Sequence, residues 1–541
     1  MNQGTNPRNR TDMLLLVAFC GFFFFYGLGA FGLVGADEPR YAQVAREMLE
    51  RSDWVTPMLQ GKPWLEKPVL YYWEAMLLFH VAGVSDQAAR LPAALDAALL
   101  IAGIYFFLRR FRPGSELDGA LITASCAGVV IFAHAAATDM PLAACFAIAL
   151  LAWYGWYESR RNTYLAVFYF FLALGTLAKG PVAPALSAVI IFLFVAVKRD
   201  WRAIVRTLCL PGILLYLAVM LPWYVAVQLR NPEFFRFFIL EHNLARFSQD
   251  IYHHHQPFWF YLPVFLLAMM PWTFVLMVAV AERVRLIWAE GKDAFSSPED
   301  SWPLFLLIWM LVPVLFFSAS QSKLPGYILP AVPAGALLAV EYLVARRSDE
   351  RPNDRKRFSF LFAMAHGILC GLLTFAALSA ASVAMNHHLL WGTETYIAAA
   401  VGAILALGIV AALLPRAGLG LLGRVTLFAV VVSVAAVIRF AAPVIDATQS
   451  ARPIAEIIQA FSHEAVPVGL YHVNRAQQYG LEFYLNRPPQ KYEEGNIPAE
   501  AHVVVAARGM QSEVAQLVTG RRVSYLTGIP TQKVDLYWVG K

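Results

Sequence analysis

Apolar residues run in stretches of membrane-spanning length along most of the chain, and polar residues gather in the short segments between them. Residues 13–36 carry no charge over 24 positions. That is enough for a helix to cross the ~30 Å hydrocarbon core, and more than the ~7–15-residue core of a cleaved signal peptide. With Arg8 and Arg10 ahead of it, this run predicts a retained first span with its N-terminus in the cytoplasm. Further runs lie near 91–108, 117–137, 140–157, 163–178, 182–197, 207–227, 258–281, 302–319, 325–345, 358–384, 395–414 and 424–441, making thirteen predicted spans.

One run decides the topology. Residues 69–83 are 15 in number with Glu74 in the middle, short of the ~17–25 that a span needs. A non-spanning helix there puts 22 Lys and Arg in cytoplasmic segments and 11 in outer segments ahead of the tail, the sense that the positive-inside rule requires. Thirteen crossings then carry the C-terminal tail to the outer face. The outer loops fall at 37–90, 228–257 and 318–326. In the first of them Tyr41, Val44, Ala45, Met48 and Leu49 recur at helical spacing with Arg46, Glu47, Glu50 and Arg51 opposite, which predicts a helix lying on the bilayer surface.

From about 443 the pattern changes. Helical periodicity at 451–462, 475–485 and 510–518 alternates with β-rich runs at 466–472, 502–507, 522–527 and 533–538, the pattern of a small α/β domain. The chain is therefore divided into a membrane domain, 1–442, and an outer-face α/β domain, 443–541. The tail holds no GxGxxG, no phosphate-binding loop and no Cys/His metal spacing. Its expected task is to cover or position something on the outer face.

Composition agrees and narrows the class. Hydrophobic residues make up 59% and charged residues 15% of the 541, with mean hydropathy +0.55, which excludes a string of soluble domains. The five cysteines, Cys20, Cys126, Cys145, Cys209 and Cys370, all lie in apolar runs, so no extracellular disulfide framework is read. The net charge of +6 is scattered over short loops. It suits anionic head groups of membrane lipids, not nucleic acid.

A transporter concentrates ionisable groups near the bilayer midplane. Here the spans are nearly bare, with Asp96, Lys179, Glu341 and Arg439 mostly towards span ends, and the outer loops carry the charge. That favours a site at the outer face over a path through the membrane. Asp37-Glu38-Pro39-Arg40-Tyr41 follows the first span directly; an Asp before Glu-Pro also starts a helix well, so capping and catalysis stand as equal alternatives there. Glu66-Lys67-Pro68 offers a lysine that binds a phosphate or snorkels to head groups. Asp139 is a second carboxylate at a span end, and Lys323 and Tyr327 open another span as lipid-phosphate ligands or interfacial anchors. The adjacent His253, His254 and His255 cannot all face one metal from regular structure.

The segments Asp37-Glu38-Pro39-Arg40-Tyr41-Ala42, Lys67-Pro68-Val69-Leu70-Tyr71-Tyr72-Trp73 and Arg90-Leu91-Pro92 resemble the polyprenyl-phosphate-dependent membrane glycosyltransferases of the GT-C class, and within it the bacterial lipid A 4-amino-4-deoxy-L-arabinose transferases. Protein O-mannosyltransferases are more distant relatives. The resemblance covers about residues 13–345 and departs at Lys67-Pro68-Val69, where Lys-Pro-Pro is commoner. It implies a polytopic α-helical fold of the GT-C type with outer-face surface helices, in the bacterial inner membrane, with site and tail periplasmic. It implies transfer of a sugar from an undecaprenyl-phosphate donor to lipid A. Asp37 becomes the catalytic carboxylate and Asp139 a second one at the site. Arg40, Lys67 and Lys323 become phosphate ligands, and Glu38, Tyr41, Glu66 and Tyr327 substrate-binding residues. No cofactor is required, although a divalent metal at Glu66 is compatible. Protein O-mannosyl transfer and lipid transport are the competing functions.

Overall fold

The computed structural model describes residues 7–238, 256–290, 300–348, 352–386, 392–413, 419–461 and 466–540. Helices follow the apolar runs, because in hydrocarbon the backbone polar groups must be satisfied internally. Six are long and apolar enough to cross a membrane: Asp86–Phe111, Asp139–Ser159, Leu210–Arg230, Ser301–Ala319, Pro325–Ala345 and Thr426–Gln449. Large side chains such as Leu14, Val17, Leu229 and Phe258 point outward, as a lipid-facing surface requires and a wetted one does not tolerate.

Two bent pairs raise the count to eight among the described residues, so these helices do not establish the thirteen spans expected. The run 117–137 splits into Glu116–Ala124 and Ala127–Ala133, bent by 63°, and 258–281 splits into Phe258–Ala268 and a helix from Thr273, bent by 118°. The two breaks satisfy each other. The Ala127 N–H donates to the Met270 carbonyl at 2.8 Å, and the Trp272 indole N–H donates to the Ser125 hydroxyl at 2.9 Å. The first run also differs from expectation. Its helix occupies Pro7–Cys20, continues as a π turn over Gly21–Phe25, and gives way to turns through residue 36. Gly27 and Gly35, at φ +78° and +66°, supply conformations that side chains disfavour.

The Asp139–Ser159 helix is the axis of the bundle, buried on nearly every side. Its Trp153 and Tyr154 pack against Phe305 of the Ser301–Ala319 helix, with ring centres 5.7 and 4.8 Å apart. The 69–83 run forms a helix over Leu70–Ala82, about 20 Å long and too short to span. The Asp37–Glu50 helix is present, but it does not lie open on the bilayer. Tyr41, Ala42, Val44, Ala45 and Met48 are all buried. The helix is held between Leu70–Ala82 and a helix of the C-terminal domain, whose Phe483 carbonyl accepts from Arg46.

The strands are β1 (Met58–Leu59) and β2 (Lys62–Pro63), a small hairpin, and β3 (Val468–Tyr471), β4 (Gln490–Lys491), β5 (His502–Ala507), β6 (Val523–Ile529) and β7 (Val534–Val539). The last five form one mixed sheet ordered β4-β3-β5-β7-β6, with β3 parallel to β4 and β5 and the β5–β7–β6 edge antiparallel. Alternation sorts its faces. Val503 and Val505 meet Ile454, Ile458 and Leu481 of the Arg452–Phe461 and Arg475–Leu485 helices, while Val504 and Ala506 meet Val514 and Val518. The α/β character expected of the tail holds, but the boundary at 442/443 falls inside a continuous helical run that ends at Gln449.

Candidate active site

The site is built on the turn-rich segment 26–36, and one buried arginine fixes it. Arg90, fully enclosed on the Asp86–Phe111 helix, donates to the carbonyls of Leu28 (2.8 Å), Phe31 (2.7 Å) and Gly32 (2.9 Å), and to both oxygens of Glu38 (2.8 and 3.2 Å). Glu38 also accepts from the N–H groups of Val34 and Ala136, each at 2.8 Å. A buried carboxylate that already accepts from four donors has little left for a ligand. The expectation that Glu38 binds substrate is therefore corrected: successive helical residues point about 100° apart, so Glu38 turns inward where Asp37 turns out.

Asp37 begins the Asp37–Glu50 helix without making a side-chain cap. Its carboxylate is half exposed and lies 2.5 Å from the Arg40 guanidinium. Arg40 in turn is buried among three rings, 4.9 Å from Trp64, 5.3 Å from Tyr41 and 5.5 Å from Tyr479. Burial works against its charge, but Tyr41, Asp37, Glu66 and Tyr479 more than offset this and hold its pKa above the usual value. Burial, and then the charge of Asp37, push the Tyr41 phenol the same way. Arg40 is thus a permanent cation that aims Asp37.

Asp139 is the first residue of its helix and sits 2.6 Å from the Lys179 ammonium, which lies 4.6 Å over the Tyr327 ring. Lys179 comes from the last turn of the Asn162–Lys179 helix. Gly326 makes this junction possible, since a Cβ there would stand 2.4 Å from an Asp139 oxygen.

These groups share a cavity of about 340 Å³. Of the nine residues singled out in the sequence, seven line it: Asp37, Arg40, Tyr41, Glu66, Lys67, Asp139 and Tyr327. Glu38 does not, and neither does Lys323, although its neighbour Leu324 does. Lys323 is buried and donates to the Ser320 carbonyl in its own loop, and burial lowers its pKa. Among the described residues no three His, Cys, Asp or Glu side chains come together as metal ligands, so a metal at Glu66 finds no donor set there. His253, His254 and His255 lie outside the described residues.

Two charged lining residues are not among the site residues expected from the sequence, Lys179 and Arg475. In the sequence Lys179 is a span-end charge, and nothing local pairs it with an aspartate 40 positions earlier. Arg475 opens a helix of the C-terminal domain, whose sequence holds no catalytic motif, and its guanidinium lies 5.8 Å from the Tyr479 ring. A larger cavity, about 480 Å³, opens at the other end of the Asp139–Ser159 helix, but no carboxylate lines it and its Arg160 is tied to Asp200. The smaller cavity is therefore the candidate site. Three carboxylates face four cations there, and such a set can grip phosphate while placing negative charge opposite it.

A cavity of this make-up, roofed by an α/β domain on a polytopic helical bundle, defines the class: an integral membrane protein with a charged site at one end of its bundle. The fold is that of "ArnT from Cupriavidus metallidurans bound to Undecaprenyl phosphate", with a TM-score of 0.73 at 22% identity over 97% of both chains. The model of the dolichyl-phosphate-mannose-protein mannosyltransferase family matches residues 66–225. The undecaprenyl phosphate-α-4-amino-4-deoxy-L-arabinose arabinosyl transferase of Pseudomonas aeruginosa (strain UCBPP-PA14) is 35% identical over 345 residues, 63% of this chain and 60% of the relative. The enzyme of the same name from Aeromonas hydrophila is 31% identical over 403 residues, 73% of this chain and 70% of the relative. The chain belongs to the family of undecaprenyl phosphate-α-4-amino-4-deoxy-L-arabinose arabinosyl transferases. The match spans 60% of the length of the Pseudomonas aeruginosa relative.

Proposed function

We propose that the chain transfers 4-amino-4-deoxy-L-arabinose from undecaprenyl phosphate to phosphate groups of lipid A, at the periplasmic face of a bacterial inner membrane. The observation that carries this reading is the convergence of Asp37, Glu66 and Asp139 with Arg40, Lys67, Lys179 and Arg475 on one cavity, in a chain whose relatives bear that donor in their name.

The residue types suit the reaction. An acceptor phosphate oxygen attacks the anomeric carbon as the bond from that carbon to the undecaprenyl phosphate oxygen breaks, and the electron pair leaves with the lipid phosphate. Lys67 and Lys179 neutralise the charge that develops on it. Asp37, aimed by Arg40, faces the oxocarbenium-like centre or the ammonium of the sugar. An acceptor phosphate is already ionised near pH 7, so no strong general base is needed and Asp139 need only hold Lys179 in place. One displacement inverts the anomeric configuration. The reaction as written requires no cofactor.

The test is reconstitution of the purified chain with undecaprenyl-phosphate aminoarabinose and lipid A, followed by mass spectrometry. A pentosamine added to a lipid A phosphate is expected; transfer to a Ser/Thr peptide instead would overturn the reading in favour of protein O-glycosylation. The orientation rests on the 22-to-11 split of basic residues. It predicts that alkaline phosphatase fused after Lys541 is active, and an inactive fusion beside a fluorescent cytoplasmic reporter would refute it.

A further inference from the structure

Four cations line the cavity, and they are not equivalent. Arg40 is committed to Asp37 and Lys179 to Asp139. Lys67 stands beside Glu66 on the loop that leads into the Leu70–Ala82 helix. Arg475 differs in both origin and company. It alone is contributed by the C-terminal domain, it is exposed, and among the described residues its only contact with a charged or aromatic group is the Tyr479 ring. That ring also faces Arg40, so Tyr479 stands between a guanidinium spent on Asp37 and one with its five donors available.

We infer that Arg475 is the acceptor's phosphate ligand, and that the C-terminal domain thereby selects a phosphorylated saccharide lipid. This rests on the functional reading above. Transfer from one phosphorylated lipid to another brings two phosphates to one cavity. The donor carries a small head group, one phosphate and one sugar, that stays at the membrane surface, where Lys179 ends a bundle helix and Lys67 stands on the loop before the Leu70–Ala82 helix. The acceptor's larger saccharide head stands further into water, on the side that the C-terminal domain covers. A guanidinium binds phosphate through two parallel hydrogen bonds and an ammonium does not, which accounts for an arginine at this position.

Binding separates the assignment from the reaction. The full chain in lipid nanodiscs, unsubstituted and as Arg475→Ala, Arg475→Lys and Arg475→Glu, is titrated with three probes: a bis-phosphorylated glucosamine disaccharide lipid, the same lipid without phosphates, and undecaprenyl phosphate. Arg475→Ala is expected to weaken the phosphorylated glycolipid about tenfold, the size of one charge-assisted contact. Arg475→Lys should recover part of that and Arg475→Glu weaken it further. Affinity for undecaprenyl phosphate and for the dephosphorylated lipid should stay the same, as should the unfolding temperature, because the side chain is exposed. Unchanged glycolipid affinity, an equal loss for undecaprenyl phosphate, or an unsubstituted chain that prefers the dephosphorylated lipid would each overturn the assignment. An unsubstituted chain that binds the phosphorylated glycolipid through Arg475 but transfers no aminoarabinose to it would overturn the functional reading and leave the assignment standing.

Discussion

Asp37 and Glu38 are adjacent carboxylates that isosteric substitution should separate completely. Glu38→Gln keeps the shape and removes the charge. The native carboxylate accepts four hydrogen bonds, two from Arg90 and one each from the backbone of Val34 and Ala136. A glutamine oxygen satisfies about two donors, and its NH₂ group faces the rest. Each buried donor left without an acceptor costs about 1–3 kcal/mol, in line with the about 3–5 kcal/mol for breaking a buried ion pair from one side. With an unfolding entropy of about 2.1 cal/mol/K per residue over 541 residues, the unfolding temperature should fall by about 3–4 °C. Transfer should fall too, because the segment that carries Asp37 is released. Asp37→Asn should do the reverse: its side chain is half exposed and Arg40 keeps Glu66, Tyr41 and Tyr479 beside it, so the unfolding temperature should fall less than in Glu38→Gln, while transfer is lost. The assay is intrinsic tryptophan fluorescence on heating, in detergent, beside transfer from a labelled donor. Wild-type unfolding in Glu38→Gln, or near wild-type turnover in Asp37→Asn, would refute the division of labour.

Three further outcomes are expected. Lys67→Ala should weaken donor binding about tenfold and Lys67→Arg recover it in part, since charge returns without ammonium geometry; equal donor affinity in all three proteins would remove Lys67 from the site. Glu482 is buried in the C-terminal domain with one oxygen unpaired and the other accepting from Gln60 of the β1–β2 hairpin at 2.7 Å, and burial pushes its carboxyl from 4.5 up to about 7. The folded chain therefore holds a proton that the unfolded chain releases between those values, so the unfolding temperature should fall as pH rises from about 4.5 to about 7. Glu482→Gln should flatten that slope, and an unaltered slope would place the titration elsewhere. Chelation by EDTA should leave the transfer rate unchanged, because lysine and arginine already neutralise the phosphates; loss of activity restored by Mg²⁺, Mn²⁺ or Zn²⁺ would refute this.

The sequence showed what short-range pattern encodes. The charged cluster of the first loop was legible because it directly follows an apolar run, but the string alone left Asp37 between capping and catalysis. The tail's strands were legible because a short β-branched apolar run such as 502–507 is a local signal. What escaped depended on long-range packing. Glu38 and Asp37 look alike in the string, and only Arg90, 52 positions on, tells them apart. The break in 117–137 was hidden because Ser125 and Ala127 are ordinary within an apolar run; they matter only where Trp272 and Met270 meet them. Lys323 looked available because its loop is polar, yet that loop folds its ammonium onto a carbonyl of its own. Arg475 lay in a domain without a motif, and its role comes from the roof being placed over the cavity.

The segment that carries Asp37 is held at both ends of the chain's history. Besides Arg90, the Gly32 N–H donates to Asp446 and the Leu33 N–H to the Tyr484 hydroxyl, partners 414 and 451 positions later, and Val34 bridges to Ser450. A ribosome adding ~5–20 residues per second reaches Asp446 roughly 20–80 s after it has made Gly32. For that interval the growing chain already has its first carboxylate at the membrane surface but lacks the ties that aim it. A chain interrupted before 446 therefore keeps the lipid-facing helices but lacks the Asp446, Ser450 and Tyr484 partners that fix the segment 32–34 beside the cavity.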